Sequence, residues 1–111
     1  MKYLAAPYTH EDPAVRERRM AIFYHWDAKL MREGHFTVSP LHKTETANRE
    51  KIPSDWVYWE QYSYELLDKC EELIVLMMPG WVESIGVQGE IAYATKLGLP
   101  IRYIGVATHY E

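Results

Sequence analysis

Residues 72–77 have the sequence ELIVLM, and this short apolar run decides the fold class. A continuous apolar segment of this length is typical of a strand that is buried on both faces of a parallel sheet. The segments on either side of it alternate between helical and strand patterns along the whole chain. Such alternation predicts an α/β protein.

The segments that precede this strand supply two further strands and a long helix. Residues 2–6 and 35–39 are predicted strands, and a proline follows each of them. Asp12 and Pro13 are a typical N-cap and first helical residue, so the first helix begins there. Gly34 is a typical C-terminal cap for that helix.

The segments that follow complete the alternation. The polar, aperiodic residues 41–53 are predicted to form a loop, long enough to favour a role in function. Helices are predicted over about residues 55–69 and 84–97, and a fourth strand over 100–106. The result is one domain over residues 1–111, with a flavodoxin-like open parallel sheet of four to five strands and helices on both faces.

This strand order places a ligand crevice at one edge of the sheet. In a flavodoxin-like sheet the first strand lies between the second and the third, and ligands bind beyond the carboxyl ends of the strands where the winding reverses. The crevice is therefore expected between the loop at residues 6–11 and the loop at residues 78–89. Glu90 lies at its edge.

Composition excludes several kinds of function. A formal net charge of −4 argues against a general nucleic-acid binder, which usually carries a basic excess. The single cysteine, Cys70, excludes an internal disulfide and a cysteine-rich zinc site. The five histidines show no metal-binding spacing, so neither a metal nor another cofactor is expected.

The chain is predicted to be cytoplasmic. Met1 and Lys2 lead directly into the first strand, which argues against a signal peptide, and no apolar run approaches the roughly 20 residues that a membrane helix needs. Aromatic residues make up 14% of the chain, so some of them should line a pocket or a subunit contact.

Glu90 is the first candidate catalytic residue. A carboxylate in the first turns of a helix can act as a nucleophile or base, because the positive end of the helix dipole favours its ionised form. Gly86 and Gly89 would let a ligand approach the backbone closely. The alternative is an ordinary helix start, since glutamate is common in first turns for the same electrostatic reason.

The loop after the first strand supplies candidate substrate-binding residues. They are Ala6, Pro7, Tyr8 and Thr9, together with Arg19 from the following helix. Small residues permit close approach, hydroxyls can hydrogen-bond, and an arginine among Arg16, Arg18 and Arg19 can reach a phosphate. A solvated charged face is the alternative for each arginine, and a surface group is the alternative for His10. No glycine-rich phosphate-binding motif occurs.

Further candidates come from the second strand end and from aromatic residues. Ser39 and His42 could contact a sugar or phosphate, although a Ser-Pro turn explains Ser39 equally well. Tyr8 or Trp81 could stack on a nucleobase. The second predicted helix, with Trp56 and Trp59, forms either a core and oligomer face or a stacking wall.

Three segments together resemble the nucleoside 2-deoxyribosyltransferase superfamily. They are YLAAPYT (residues 3–9), ELIVLMMPGW (72–81) and SIGVQGEIAYATKLGLPI (84–101). The chain is most similar to a small bacterial and phage branch related to deoxynucleoside monophosphate N-glycosidases. The resemblance implies a flavodoxin-like fold and a homodimer or larger homo-oligomer. It also implies that Glu90, in the pattern G-x-x-x-E-x-x-x-A from Gly86 to Ala94, attacks the anomeric carbon of a deoxyribonucleoside.

The chain departs from this family at one position. Many members carry an aspartate in the helix before the third strand, where this sequence has Ser63, which cannot protonate a leaving base. Asp55 and Glu60, earlier in that helix, are candidate substitutes.

We therefore expect an enzyme that cleaves an N-glycosidic bond, or transfers the deoxyribosyl group, of a 2′-deoxynucleoside or its 5′-monophosphate. Water is the acceptor in a hydrolase, and a second base is the acceptor in a transferase. One alternative is a nucleotide-binding or sensing module without catalysis, which the serine at position 63 favours. Another is an interaction protein without a ligand, which the aromatic second helix favours.

Overall fold

The structure, a computed structural model, describes residues 1–106, so the last residues of the chain lie outside the description. It contains four strands, four α-helices and one 3₁₀ helix in these residues. In chain order they are β1 (Lys2–Ala5), α1 (Pro13–Arg32), β2 (Thr37–Val38), the 3₁₀ helix (Pro40–Lys43), α2 (Thr44–Arg49), α3 (Trp56–Asp68), β3 (Glu72–Met77), α4 (Ile85–Leu97) and β4 (Ile101–Gly105).

The sheet is open and all-parallel, with the strand order β2-β1-β3-β4. Tyr3 of β1 pairs with Leu73 of β3, and Leu73 pairs in turn with Ile101 of β4. The chain winds in one direction from β1 to β2 and in the other from β3 to β4. The predicted α/β class with a flavodoxin-like parallel sheet is confirmed, and the winding reverses between β1 and β3 as expected.

Two apolar layers cover the two faces of the sheet. Alternate residues of each strand point to opposite faces, so β1 and β3 each contribute to both layers. The first layer joins the sheet to α1 through Leu4, Ile74, Leu76, Phe23 and Leu30. The second joins it to α3 and α4 through Tyr3, Ala5, Leu73, Val75, Leu67, Val87 and Ala94.

Local sequence signals set the helix boundaries. The Asp12 carboxylate accepts a hydrogen bond of 2.9 Å from the backbone N–H of Ala14, with Pro13 as the first helical residue of α1. The Ser84 hydroxyl accepts one of 3.1 Å from Val87 and caps α4. Gly98 ends α4 with φ +75°, a conformation that glycine adopts without strain.

The segment between β2 and α3 differs from the prediction. Residues 41–53 were expected to form a loop, but they carry most of the 3₁₀ helix and all of α2. The Ser39 hydroxyl caps the 3₁₀ helix at the N–H of Leu41, and the Thr44 hydroxyl donates to the carbonyl of Leu41 over 2.6 Å. Neither helix has a buried residue, so neither shows the apolar periodicity from which a helix is predicted. Strand β2 is also shorter than expected, with two residues.

Candidate active site

A cavity of about 410 Å³ opens at the carboxyl ends of β1 and β2, beside the first turns of α4. Its lining comes from the loop after β1, the segment between β2 and α3, the first half of α3 and the start of α4. The winding of the sheet reverses next to this cavity, between β1 and β3, and ligands of open α/β sheets bind near such a point. The described lining includes residues from 83–90 but none from 76–82, so of the loop expected at residues 78–89 only the end borders the cavity. The lining includes Ala5, Ala6, Tyr8, Thr9, Ser39, Thr44, Asn48, Asp55, Trp56, Trp59, Ser63, Glu83, Ser84, Gly86 and Glu90.

Glu90 reaches this cavity from the second turn of α4 and is 7% exposed. The phenolic hydroxyl of Tyr3, from β1, donates a short hydrogen bond to its Oε2. The hydroxyl of Ser63, from α3, also hydrogen-bonds the Glu90 carboxyl group. Both partners are almost completely buried, with exposures of 0% and 1%. Three elements thus hold one carboxyl group, and packing leaves it little freedom to turn away from the cavity.

Burial decides the ionisation of this carboxyl group. It raises the pKa of Glu90 to about 8, although the hydrogen bonds from Tyr3 and Ser63 act in the opposite direction. A helix dipole weakens beyond the first turn, so it does not offset the cost of desolvating a charge here. At neutral pH Glu90 is therefore mainly the neutral acid. The same burial, together with the nearby Glu90, raises the pKa of Tyr3 well above its ordinary value.

Two tryptophans form an aromatic wall of the cavity. Trp56 and Trp59 lie one turn apart on α3 and both contribute to the lining. The Trp59 Nε1–H donates to the carbonyl of Pro53 over 2.7 Å, which fixes one indole. The other indole packs over α4, where a Cβ on Gly89 would lie 2.6 Å from Cζ2 of Trp56. Gly89 thus makes room for an indole rather than for a ligand.

Seven of the predicted site residues line the cavity. Asp55 is exposed there and occupies the N-cap position of α3, yet its side chain makes no capping hydrogen bond. The set consists of Ala6, Tyr8, Thr9, Ser39, Asp55, Gly86 and Glu90.

The other predicted site residues do not belong to the lining. Pro7 is fully buried in the core, and Trp81 packs against the second apolar layer with its ring 6.0 Å from that of Tyr103. His42 pairs with Asp27, with 2.8 Å between Nε2 and Oδ2. Gly89, as described, lies under the Trp56 ring.

Arg19 does not line the cavity but holds the backbone of the loop after β1, which does. Its Nη1 donates to the carbonyl of Thr9 over 2.9 Å, and its guanidinium group lies against Gly80, which has φ +96°. Arg19 therefore ties the loop after β1 to the loop after β3. A side chain at position 80 would collide with this guanidinium group.

Tyr3 is the site residue that the sequence did not reveal. It lies in a short apolar strand, where an aromatic residue is an ordinary core residue. The one sequence feature that points to Tyr3 is the alternation of side chains along a strand. Because of it, Tyr3 and Ala5 share one face of the sheet, and Ala5 borders the cavity. This alternation does not predict that the hydroxyl of Tyr3 contacts Glu90, because the two residues are 87 positions apart in the sequence.

No group of three or more His, Cys, Asp or Glu side chains in residues 1–106 is arranged to hold a metal ion. In the same part of the chain, no helix combines the length and apolar character needed to cross a membrane.

Comparison with known proteins identifies the family of the chain. Residues 1–105 match the family model described as a domain of unknown function, DUF1937. The match covers nearly the entire chain, so the protein belongs to this family. No curated protein matches the sequence.

Proposed function

We propose that this DUF1937 protein acts on the N-glycosidic bond of a 2′-deoxynucleoside or its 5′-monophosphate, and that Glu90 is the nucleophile. The observation that supports the proposal is the buried carboxyl group of Glu90, held by Tyr3 and Ser63 where it enters the cavity. The resemblance of three segments to the nucleoside 2-deoxyribosyltransferase superfamily supports the same role.

The chemistry begins with attack of a Glu90 carboxylate oxygen on C1′ of the deoxyribose. The C1′–N bond breaks, its electron pair goes to the base nitrogen, and a covalent glycosyl ester forms on Glu90. Positive charge develops on the sugar in the transition state, and an adjacent carboxylate stabilises it. Water then attacks C1′ in a hydrolase, whereas a second base attacks C1′ in a transferase. In either case the C1′–O bond to Glu90 breaks and Glu90 leaves as a carboxylate, while the attacking group gives its proton back to the carboxylate that protonated the leaving base.

The leaving base requires a proton, and Asp55 is the candidate donor. Ser63 occupies the place where many members of the superfamily that the chain resembles carry an acid, and its hydroxyl interacts with both Glu90 and Tyr3. Asp55, at the N-terminus of the same helix, also lines the cavity and has no capping hydrogen bond to occupy its carboxyl group. The indoles of Trp56 and Trp59 and the ring of Tyr8 supply apolar surface against which a base can stack.

A catalytically inactive nucleotide-binding module is the second candidate. It is favoured by the absence of a second buried acid in residues 1–106 and by the raised pKa of Glu90, which keeps its carboxyl group mainly neutral at pH 7. A neutral carboxyl group can donate a hydrogen bond to a ligand without attacking it. This candidate predicts thermal stabilisation by nucleotides without release of base.

We also propose that the protein is a homodimer or larger homo-oligomer. Large apolar side chains at the starts of α3 and α4 are exposed, among them Val57 at 85% and Ile85 at 73%. A contact between subunits would remove this surface from water. Light scattering would measure the mass, and a monomer at micromolar concentration would contradict this part of the proposal.

Release of free base tests the catalytic proposal. Each of the four deoxynucleosides and the four deoxynucleoside monophosphates would be incubated with the protein and analysed by chromatography. We expect base release that Glu90→Gln lowers by about 10³-fold or more. Glu65→Gln, an exposed position on α3, is the matched control and should keep full activity. Addition of a second base would distinguish transfer from hydrolysis.

The pH profile distinguishes the two roles of Glu90. A nucleophile must be ionised, so kcat/KM should rise with pH until the pKa of about 8 and then level off. A fall above pH 8 would instead identify Glu90 as a proton donor. Thermal stabilisation by nucleotides with no base release from any substrate would favour the binding module.

A further inference from the structure

A second recess adjoins the cavity of Glu90. It has a volume of about 290 Å³ and lies between the loop after β1, the start of α1 and the end of α2. We call it the annex and define it by its lining, which is Tyr8, Thr9, His10, Arg16, Ala47, Asn48, Lys51, Ile52 and Ser54. Six of these residues also line the main cavity, so a single ligand can extend from one recess into the other.

The two recesses differ in charge. Among the residues that the structure describes, the annex is lined by the cations Arg16 and Lys51 and by His10, and by no carboxylate. The described lining of the main cavity contains the side chains of Asp55 and Glu83 and the mainly neutral carboxyl group of Glu90, and it contains no lysine or arginine. A ligand that fills both recesses therefore carries negative charge only at the end that lies in the annex.

Local hydrogen bonds fix the donors of the annex. Arg16 donates through Nη1 to the carbonyl of His10, which leaves the other N–H groups of its guanidinium fork for a ligand. The backbone N–H of Asp12 donates to Nδ1 of His10 over 3.0 Å. Because Nδ1 is the acceptor, the neutral imidazole carries its proton on Nε2, which can donate to an anion.

Lys51 is held in the annex by an uncommon backbone conformation. It has φ +55°, a left-handed conformation that lysine adopts only with strain. The turn that requires this conformation ends α2, since Ile52 donates its N–H to the carbonyl of Ala47 over 2.9 Å. Glycine would adopt this conformation with less strain, so the geometry of the turn does not explain why the residue at position 51 is a lysine.

We propose that the annex is a phosphate subsite, in which His10, Arg16 and Lys51 bind the phosphate of a nucleotide whose sugar and base lie in the main cavity. The inference rests on the proposed function and narrows its substrate class from nucleosides and nucleotides to nucleotides. The volume of the annex exceeds that of one phosphate group, so a diphosphate is accommodated as well as a monophosphate. Charge-assisted hydrogen bonds from a guanidinium fork and an ammonium group suit phosphate oxygens.

Binding measurements on Glu90→Gln test the proposal without turnover of the ligand. Calorimetric titration would compare each deoxynucleoside with its 5′-monophosphate and 5′-diphosphate at fixed ionic strength. We expect the monophosphate to bind at least about tenfold more tightly than the nucleoside, and the diphosphate at least as tightly as the monophosphate. Equal affinity for nucleoside and monophosphate, or rejection of the diphosphate, would overturn the inference.

The variants Lys51→Gly and Arg16→Gln assign the effect to the annex. Lys51→Gly removes the charge and relieves the backbone strain, so weaker binding cannot be attributed to misfolding. Each should reduce the preference for phosphate about fivefold or more, with nucleoside affinity unchanged. Lys43→Ala and Arg18→Gln remove equal charges at exposed positions outside both recesses and should leave the preference intact. An equal loss in these controls would show a general charge effect and overturn the subsite.

Failure of this inference is distinguishable from failure of the proposed function. Base release from nucleosides and nucleotides that is indifferent to Lys51→Gly and Arg16→Gln would overturn the phosphate subsite and leave the catalytic role of Glu90 standing. A phosphate preference that depends on both residues, with no base release from any ligand, would support the subsite and overturn the catalytic proposal.

Discussion

The floor and the roof of the cavity are built in different ways. The floor consists of β1, α3 and α4 around Glu90, and its polar side chains are buried and hydrogen-bonded to one another. The roof consists of residues 40–53, where neither the 3₁₀ helix nor α2 has a buried residue. The roof is joined to the rest by half-buried Leu41, which packs against the first apolar layer, by the pair of His42 with Asp27, and by a hydrogen bond of 3.4 Å from Asn48 Nδ2 to the hydroxyl of Tyr8.

This difference indicates that the floor and the roof have different functions. A group that must react needs a fixed position and a tuned pKa, and both come from close packing. A surface that must admit a ligand needs little buried area, because segments with few buried contacts open at low free-energy cost. The floor therefore sets the chemistry, whereas the roof sets access and the outer wall of both recesses.

The largest effect expected from the floor is a pH dependence of stability. Between the ordinary pKa of 4.5 and the folded value of about 8, the unfolded chain has lost the Glu90 proton while the folded protein retains it. Folded protein then binds more protons, so the free energy of unfolding falls as pH rises, by up to about 1.4 kcal/mol per pH unit. Below pH 4.5 the contribution of Glu90 to the free energy of unfolding does not change with pH, and above about pH 8 it has been lost completely.

Denaturant unfolding from pH 4 to 9 measures this slope. The glutamine of Glu90→Gln cannot ionise, so the free energy of unfolding of this variant should lack the pH dependence that Glu90 causes. The variant should therefore be more stable than the wild type at pH 8 and above. Glu65→Gln is again the control and should follow the wild-type curve. Parallel curves for wild type and Glu90→Gln would show that the floor does not hold a neutral carboxyl group.

Tyr3→Phe tests whether the floor tunes Glu90 through hydrogen bonding. The change removes the phenolic donor but keeps the ring in the core. We expect kcat/KM to fall by about 10- to 100-fold, since the remaining donor, Ser63, is weaker support for a carboxylate. The pKa in the pH–rate profile should move upward, because the bond from Tyr3 lowers the pKa of Glu90. A fall in rate with an unchanged profile would make Tyr3 a packing residue only.

Gly89→Ala and Gly86→Ala compare two glycines on the same helix. A Cβ at position 89 would lie 2.6 Å from the Trp56 indole, whereas at position 86 its nearest contact is an ordinary 3.6 Å. Gly89→Ala should destabilise the protein by about 1–3 kcal/mol through overpacking. Gly86→Ala should be neutral or stabilise by up to about 1 kcal/mol, because alanine favours the helix. Thermal unfolding would decide, and equal melting temperatures would mean that the indole moves aside easily.

Asn48→Ala tests the roof and should have the smallest effect. The side chain is exposed and its bond to Tyr8 is long, so we expect a change in unfolding free energy within about 0.5 kcal/mol. Ligand affinity should change more than stability does, because Asn48 lines both recesses. Destabilisation comparable with that of Gly89→Ala would show that roof and floor form one rigid unit.

The sequence predicts the floor of the cavity better than its roof. Apolar periodicity and the caps at Asp12, Ser84 and Gly98 locate the helices that carry buried residues, since burial on one face is what creates a period. The 3₁₀ helix and α2 have no fully buried residue and show no apolar period, so the sequence predicts a loop for residues 41–53. Among the candidate ligand contacts, His42 and Trp81 face structural partners instead, and local sequence does not show which way a side chain turns.

By itself the sequence determined the alternation of strands and helices, the all-parallel sheet and the position of Glu90 near its switch point. These follow from local patterns, because each element buries one face or two. Only the tertiary structure brought Tyr3 and Ser63 to Glu90, put Lys51 and Arg16 into one recess, and raised the pKa of the carboxyl group. Convergence of distant residues depends on topology and register, and the pKa depends on how completely the packed elements exclude water.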